Sequence, residues 1–152
     1  MLSNKAKYAI RALLHLGKRS GTGPILIKEI AATERIPQKF LEAILGEMRS
    51  AGVLLSKPGK GGGYTLRLPP DQVNLGRVIR LMDGPLAPVP CVSQMAYAPC
   101  ADCPVEKECV IRLVMKQVRD ATAKILDDIT LDQLLRDEEG LKGSSFSLDF
   151  HI

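Results

Sequence analysis

The chain has 152 residues, 45% of them hydrophobic, a length that suits one domain with a full core or a small domain with an appendage. No apolar run approaches the length of a membrane span and no secretory signal pattern opens the chain, so we expect a cytoplasmic protein. Four cysteines in such a chain indicate metal ligands or redox thiols rather than a disulfide framework.

The net charge of +4 is divided unequally along the chain. Residues 1–80 contain 14 Lys and Arg against 5 Asp and Glu, a net of +9, and residues 81–152 contain 7 against 12, a net of −5. This asymmetry favours a polyanion-binding module joined to a part that does not contact the polyanion. The alternative is a solvated surface on which the charges are unevenly distributed.

The first part of the chain predicts two helices before a tight turn. Residues 4–19 form an amphipathic helix, and its lone His15 has no second histidine at ligand spacing, which indicates a structural role. A break at residues 20–24 precedes a short helix over residues 25–33. The turn at residues 34–36 carries Arg35 where many such turns carry glycine, and Pro37 suits the first turn of the next helix.

The next helix has one apolar and one polar side. Its apolar positions recur at intervals of three and four residues and predict a face that packs in the core: Phe40, Leu41, Ile44, Leu45 and Met48. The opposite side carries hydrogen-bonding groups and a gap without a side chain: Gln38, Lys39, Glu42, Gly46 and Arg49. A helix of this kind fits the DNA major groove.

Two short strands are predicted after this helix, over residues 53–56 and 64–68. They flank a tip of Gly59, Lys60, Gly61, Gly62 and Gly63, with Lys57 beside it. The tip lacks the Gly-Lys-Ser/Thr order of a nucleotide-binding loop, so it indicates either a basic wing against a phosphate backbone or a hairpin turn without a ligand. The predicted fold class is mainly α with a small β-hairpin, a winged helix-turn-helix domain followed by a long dimerisation helix.

Every cysteine in the chain lies within 19 residues, after a short helix over residues 75–82 and a segment rich in proline and glycine: Cys91, Cys100, Cys103 and Cys109. Soft sulfur ligands select an iron–sulfur cluster, with zinc as an alternative. Reactive thiols without metal, and inert structural cysteines, are the other two interpretations. Because Pro104 suits the first turn of a helix, we expect Cys103 near a helix N-terminus and Cys109 in the second turn.

A long helix is predicted from Pro104 to about residue 129, with two adjoining apolar stripes. One stripe can pack on the winged-helix domain and the other on a partner helix, which predicts a homodimer; the alternative is a helix that folds back wholly on its own domain. Thr130 is expected to cap a last short helix through Leu135. The alternation from Phe146 to Phe150 fits a small strand or a docked end.

Several motifs in order resemble the Rrf2 family of winged-helix transcription regulators, of the IscR and NsrR type. They span roughly residues 1–135 and are Lys5-x-x-Tyr8-Ala9-x-Arg11-Ala12, Phe40-Leu41-Glu42-x-Ile44-Leu45, Gly52-x-x-x-Ser56 and Gly59-x-x-Gly62-Gly63-Tyr64. The resemblance implies a homodimer that binds double-stranded operator DNA through Lys39, Glu42 and the glycine wing. It also implies that cysteines between the wing and the long helix hold a sensory cluster.

The chain departs from this family pattern at three places. Pro58 stands where many members have an arginine in the wing. Where cluster-bearing relatives have a fourth ligand, this chain has Arg112, or Lys7 or Tyr8 near the N-terminus, and neither arginine nor lysine is a plausible iron ligand. The additional cysteine of the Cys100-x-x-Cys103 pair can replace that ligand, or this branch senses through its thiols alone.

The sequence therefore predicts a transcription regulator rather than an enzyme. The expected organisation is a DNA-binding domain over residues 1–83, a cysteine loop over 84–103, dimerisation and terminal helices over 104–138, and a tail over 139–152. The residues expected to contact DNA are Lys5, Lys28, Gln38, Lys39, Glu42, Arg49, Lys57, Lys60, Gly61 and Gly62. A redox enzyme using the cysteine pair, and a repressor with zinc-bound or structural cysteines, are the competing hypotheses.

Overall fold

The computed structural model describes residues 2–143, which form six α-helices and one antiparallel hairpin. In chain order these are α1 (Asn4–Lys18), α2 (Ile27–Glu34), α3 (Gln38–Ser50), β1 (Leu54–Lys57), β2 (Gly63–Leu66), α4 (Leu75–Asp83), α5 (Val110–Asp128) and α6 (Leu131–Gly143). The predicted class, mainly α with a small β-hairpin, is confirmed. No helix between residues 2 and 143 has the length and apolarity needed to cross a membrane.

Helix α1 runs through the centre of the core. Ser3 caps it, because its hydroxyl accepts the Ala6 N–H at 3.0 Å. Small side chains on its buried face let α3, α4 and α6 approach closely, and this face comprises Ala6, Ala9, Ala12, Leu13 and Leu16. His15 is buried as well, with Nδ1 3.1 Å from Glu34 Oε1, so it joins α1 to α2 as the structural interpretation expected.

Helices α2 and α3 form the helix-turn-helix. Helix α2 begins two residues later than predicted because Ile25 pairs with the wing: its N–H and carbonyl bond to Tyr64 at 3.0 and 2.9 Å. Arg35 ends α2 with φ of 52°, the left-handed conformation that glycine usually takes in this turn. Pro37 occupies the capping position before α3 rather than its first turn.

The core side of α3 is as predicted except at its first apolar residue. The other four residues of that face are fully buried, and they are Leu41, Ile44, Leu45 and Met48. Phe40, predicted with them, is 43% exposed, and its ring lies edge-on to Tyr8 with centroids 5.8 Å apart. The reason is geometric, since Phe40 lies beyond the edge of the buried stripe, about 40° around the helix from Ile44 and about 100° from Leu41.

The wing is a two-stranded ladder that pairs Leu54 with Leu66 at one end and Lys57 with Gly63 at the other. Strand β1 lies one residue later than predicted, and β2 begins one residue earlier and ends two residues earlier than predicted. In the tip the Gly62 N–H donates to the Gly59 carbonyl at 3.0 Å. A Cβ atom on Gly62 would overlap the carbonyl oxygen of Lys57, so glycine is required there by close packing.

The predicted start of the long helix at Pro104 is wrong, since α5 begins at Val110. Val105 is extended, a short 3-10 helix spans Glu106–Glu108, and Cys109 is the capping residue, with φ of −76° and ψ of 109°. The expectation that Cys103 lies at the helix N-terminus and Cys109 in the second turn is therefore also wrong. A thiol at the N-cap replaces the Ser, Thr, Asp or Asn that usually marks a helix start.

The C-terminal end of α5 is attached to α4 through the backbone. The Leu75 N–H donates to the Ile129 carbonyl at 2.9 Å, and the Leu131 N–H donates to the Val73 carbonyl at 2.8 Å. Thr130 caps α6, as predicted, by accepting the Gln133 N–H at 3.2 Å. Helix α6 is longer than predicted and is described from Leu131 to Gly143, while the segment from Phe146 to Phe150 lies outside the described residues.

Candidate nucleic-acid interface and cysteine site

The polar side of α3 faces solvent. Gln38, Lys39, Glu42 and Arg49 are all exposed, and the Gln38 amide donates to the Glu42 carboxylate at 3.1 Å. Gly46 lies between them, and no atom approaches within 4 Å of the place where its Cβ would stand. This surface is a shallow strip with charged and amide groups along its borders, which a double helix can approach closely.

The wing continues this surface. Arg49 on α3 reaches Ser56 on β1, with Nη1 and Oγ 3.5 Å apart. Helix α3, the second helix of the helix-turn-helix and so its recognition helix, therefore meets the hairpin directly. Lys57, Lys60 and Gly61 are exposed at the tip. Gly62 is buried within the turn and shapes it.

The remaining basic residues of the predicted interface differ in their surroundings. Lys28 on α2 is exposed, whereas Lys5 on α1 forms an ion pair with Glu47 on α3, with Nζ and Oε2 2.7 Å apart. The sequence prediction did not include Arg35 and Arg67, which are also exposed, one in the turn before α3 and the other just after β2. Their positions in the sequence, next to α3 and next to the wing, were the signal that could have identified them.

All four cysteines line one cavity of about 350 Å³ between the segment before α5 and its first turn. They come from three places: the 3-10 helix Pro90–Val92 carries Cys91, the loop after it carries Cys100 and Cys103, and Cys109 caps α5. All four are free thiols. The clustering seen in the sequence is therefore a clustering in space.

Cys103 and Cys109 have different environments within this cavity. The Arg112 N–H donates to Cys109 Sγ at 3.4 Å, and together with a hydrogen bond from the Cys103 thiol it lowers the pKa of Cys109. Partial desolvation and the hydrogen bond to Cys109 raise the pKa of Cys103, whose thiol also contacts the Val105 carbonyl at 3.7 Å. Cys109 is thus the more acidic thiol of the pair, at a helix N-terminus that favours its thiolate form.

A polar group borders the same cavity. Arg112 pairs with Glu106, with Nε and Oε1 2.7 Å apart, and the Tyr97 hydroxyl donates to Glu106 Oε2 at 2.6 Å. The hydrogen bond to Glu106 raises the pKa of Tyr97. Arg112 therefore lies in the wall of the cavity as a cation beside the sulfur atoms.

The donor set fits a sulfur-bound metal centre in its chemistry. Four thiols from one chain satisfy the ligand number of a four-iron or two-iron cluster, and soft sulfur is the ligand that such clusters select. No three His, Cys, Asp or Glu side chains between residues 2 and 143 are arranged to hold a single ion. An iron–sulfur cluster does not require its four sulfur ligands to converge on one atom, because the ligands are shared among several iron atoms.

Helix α5 has no buried residue along its 19 positions. Its half-buried side, which includes Met115, Thr122 and Leu126, contacts its own domain. The other side carries large apolar groups that are 43–73% exposed, namely Val110, Ile111, Leu113, Val114, Val118 and Ile125. An apolar face of this extent on a long helix is typical of a protein interface.

A helix-turn-helix that exposes a polar recognition helix beside a glycine-tipped hairpin defines a winged-helix DNA-binding protein. This chain belongs to the Rrf2 family, described as iron-dependent transcriptional regulators, which matches residues 2–137. It is a DNA-binding transcriptional regulator and not an enzyme.

Individual relatives agree with this assignment. An Rrf2-like transcriptional regulator of Rhodobacter capsulatus is 41% identical over 138 residues, which are 89% of this chain and 92% of the relative. The structure of CymR, the global cysteine regulator of B. subtilis, is similar with a TM-score of 0.75 and 31% identity, covering 90% of this chain and 97% of CymR. IscR of T. potens has a TM-score of 0.74 and 26% identity, covering 96% of this chain and 93% of IscR.

Proposed function

We propose that this chain is a homodimeric regulator whose affinity for operator DNA is set by an iron–sulfur cluster held by Cys91, Cys100, Cys103 and Cys109. The observation that carries the proposal is that all four thiols line one cavity and that one of them caps α5, the helix with the exposed apolar face. Residues 1–83 bind DNA in this proposal, and residues 104–138 supply the subunit contact.

The contacts to DNA divide into two kinds. Gln38 and Lys39 contact bases or phosphates in the major groove, and Glu42 accepts a hydrogen bond from a cytosine amino group. The exposure of this face supports the assignment. The other groups give salt-sensitive contacts to the phosphate backbone or let the wing approach it, and they are Lys5, Lys28, Arg49, Lys57, Lys60, Gly61 and Gly62.

A second copy of the chain covers the apolar face of α5. Covering this face is favourable, since full burial of each Val, Leu or Ile side chain is worth roughly 1.5–3 kcal/mol. In a symmetric dimer the two recognition helices must lie about 34 Å apart to enter successive major grooves. Because Cys109 begins α5, a change at the cysteines can alter that separation.

The protein groups around the proposed cluster have definite tasks. The Arg112 N–H donates to Cys109 Sγ, lowers the pKa of this thiol and so favours the thiolate that binds iron. Glu106 holds the Arg112 side chain in the cavity wall, where its positive charge favours thiolate over thiol. A bound cluster would supply a redox- and oxygen-sensitive centre whose loss removes the link between the loop cysteines and Cys109.

A second candidate is sensing by the thiols without metal. It is favoured by the opposite pKa shifts of Cys103 and Cys109 within one cavity, and by the absence of a single-ion arrangement within residues 2–143. A zinc-bound or purely structural cysteine site is the remaining alternative.

The test begins with protein purified under nitrogen. We expect visible absorption together with stoichiometric iron and sulfide, and a change in operator affinity when the iron is removed by a chelator. A duplex selected from a random pool by binding to the protein serves as operator, and footprinting compares the two states. Iron-free protein with reduced, reactive thiols would favour the second candidate, and bound zinc would favour a structural site. Identical affinity and footprint in both states would contradict control by the cluster.

A further inference from the structure

The DNA-binding unit and α5 are joined by an ion pair close to the end of α5. Arg80 on α4 holds both carboxylate oxygens of Asp127, with Nη2 and Oδ2 2.9 Å apart. This pair lowers the pKa of Asp127 and raises that of Arg80. Gly76 makes room for it, because a Cβ there would overlap the Asp127 carboxylate and stand 2.9 Å from Arg80 Nη1.

The Arg119 side chain joins the middle of α5 to the cysteine segment, residues 91–109, which contains all four cysteines. Arg119 donates from Nη1 to the carbonyl of Val92 at 2.6 Å, and from Nε to Asp120 Oδ1 at 2.8 Å. Its side chain is only 12% exposed. Val92 is itself buried and follows Cys91 directly in the 3-10 helix Pro90–Val92.

Helix α4 in turn contacts the end of the recognition helix. Arg77 donates from Nη2 to the carbonyl of Ala51 at 2.9 Å, and Ala51 is the residue that ends α3. Arg77 and Arg80 lie one turn apart on α4 and border the same open cleft as Asp127. The contacts therefore run without interruption from the residue after Cys91 to the end of α3.

We infer that Arg119 is a positioning residue that conveys the state of the cysteine segment to the recognition helix. The route passes from the Val92 carbonyl to α5 and then through Asp127 and Arg80 to α4. The inference rests on the proposed function, because it concerns how a change at the cysteines reaches the DNA-binding face. It assigns the transmission to polar contacts on α5 that are separate from the subunit contact.

The energetics favour movement of α5 over rupture of the contact. Nε and Nη2 of Arg119 pair with Asp120 on α5 itself, whereas Nη1 donates to the Val92 carbonyl. Loss of that carbonyl would leave Nη1 of a mostly buried guanidinium without its acceptor, so Arg119 follows the carbonyl when residues 90–92 shift. In the same way, the bidentate pair of Arg80 and Asp127 makes α4 follow the end of α5 when that end moves. Helix α5 is continuous between Arg119 and Asp127, a little over two turns, and transmits a shift or tilt from one to the other.

The experiment measures the ratio of operator Kd values in two states. One state is the protein as purified under nitrogen, and the other is the same protein after iron removal with a chelator and reduction with dithiothreitol. We expect Arg119→Gln to bring the ratio closer to 1 by about 2- to 30-fold, the range seen for residues that carry coupling. Asp127→Asn should act likewise, and the double variant should lose no more than the larger single loss, since both interrupt one route.

Controls separate this role from general stability. Arg136→Gln removes an exposed guanidinium that pairs with Asp132 on α6, 2.7 Å away, and should leave the ratio unchanged. Arg119→Lys keeps a donor and should retain part of the response, and it replaces the glutamine variant if that variant does not fold. Folding of each variant is checked by its melting temperature. A normal ratio in folded Arg119 variants, or additive losses in the double variant, would overturn the inference.

Hydrogen exchange gives a readout that does not depend on the cysteine response. Arg119→Gln should speed exchange near Val92 and also in α4 and at the Gly52 and Val53 amides after α3. Faster exchange near Val92 alone would mean a local structural role and would also overturn the inference. If the native chain binds the operator equally well with and without its iron, the proposed function fails. The exchange measurement alone then tests whether the Arg119 contacts connect Val92 with α4 and the end of α3.

Discussion

Replacing Val114 by aspartate tests the subunit contact directly. Val114 is 50% exposed in the middle of the apolar face of α5. Half of the value of a fully buried valine is roughly 1 kcal/mol, and a two-fold symmetric interface contains the residue twice, so about 2 kcal/mol of apolar burial is lost. Two carboxylates must in addition leave water or open the interface, which adds at least about 1 kcal/mol.

The expected result is a dimer dissociation constant raised by roughly 100-fold or more, because each 1.4 kcal/mol corresponds to a factor of ten. Sedimentation equilibrium over a concentration series measures this constant. Lys116→Gln is the matched control, since it also lowers the charge by one on the same helix but removes only an exposed ion pair with Asp120, 2.9 Å long.

Operator binding should weaken together with dimerisation, because a monomer contacts one half-site. The monomer fold should persist, since the exposed Val114 contributes little to the core, and an unchanged circular dichroism spectrum would verify this. A folded Val114→Asp variant that dimerises as tightly as the control would show that this face is not the subunit contact.

Three further outcomes follow from local geometry. Gly62→Ala should weaken operator binding by at least about tenfold with a small change in melting temperature, because the new Cβ overlaps backbone and must distort the exposed tip; unchanged affinity in a binding titration would show that the tip does not contact DNA. Gly76→Ala should lower the free energy of unfolding by roughly 1–3 kcal/mol, because it displaces the Asp127 carboxylate between α4 and α5; urea denaturation measures this, and a neutral result would mean that the helices separate freely. In iron-free, reduced protein Cys109 should be alkylated by iodoacetamide at lower pH than Cys103, because only the thiolate reacts and the pKa of Cys109 is lowered while that of Cys103 is raised; peptide mapping over a pH series would detect the opposite order.

The sequence predicted those parts of the fold whose signals are local. Periodicity located α3 and its buried face, and the glycine-rich tip located the wing. Phe40 was assigned to the core because a hydrophobic pattern does not show how far around a helix the packing extends. The start of α5 was misplaced because Pro104 is a strong helix-start signal, whereas the residue that caps the helix is a cysteine.

The candidate site was predictable in its membership but not in its internal arrangement. Every cysteine of the chain lies within 19 residues, which indicated that the thiols lie close together in the fold. In the structure the four thiols do line one cavity. The contacts of Cys103 and Cys109 with backbone groups, and the different pKa shifts of the two thiols, depend on a loop conformation that no residue pattern specifies. The contact of Asp127 with Gly76 joins positions far apart in the chain, so it appears only in the folded structure.

The bridge between Ile25 and Tyr64 ties the two-stranded wing to the segment ahead of α2. Gly63 belongs to the same junction, because a Cβ on it would overlap the Ile25 carbonyl. A hairpin transplanted from another regulator would therefore lose this backbone bridge unless the residues ahead of α2 came with it. We expect that an exchange of DNA preference with a relative needs the whole segment from residue 25 to residue 66, which contains both partners of the bridge.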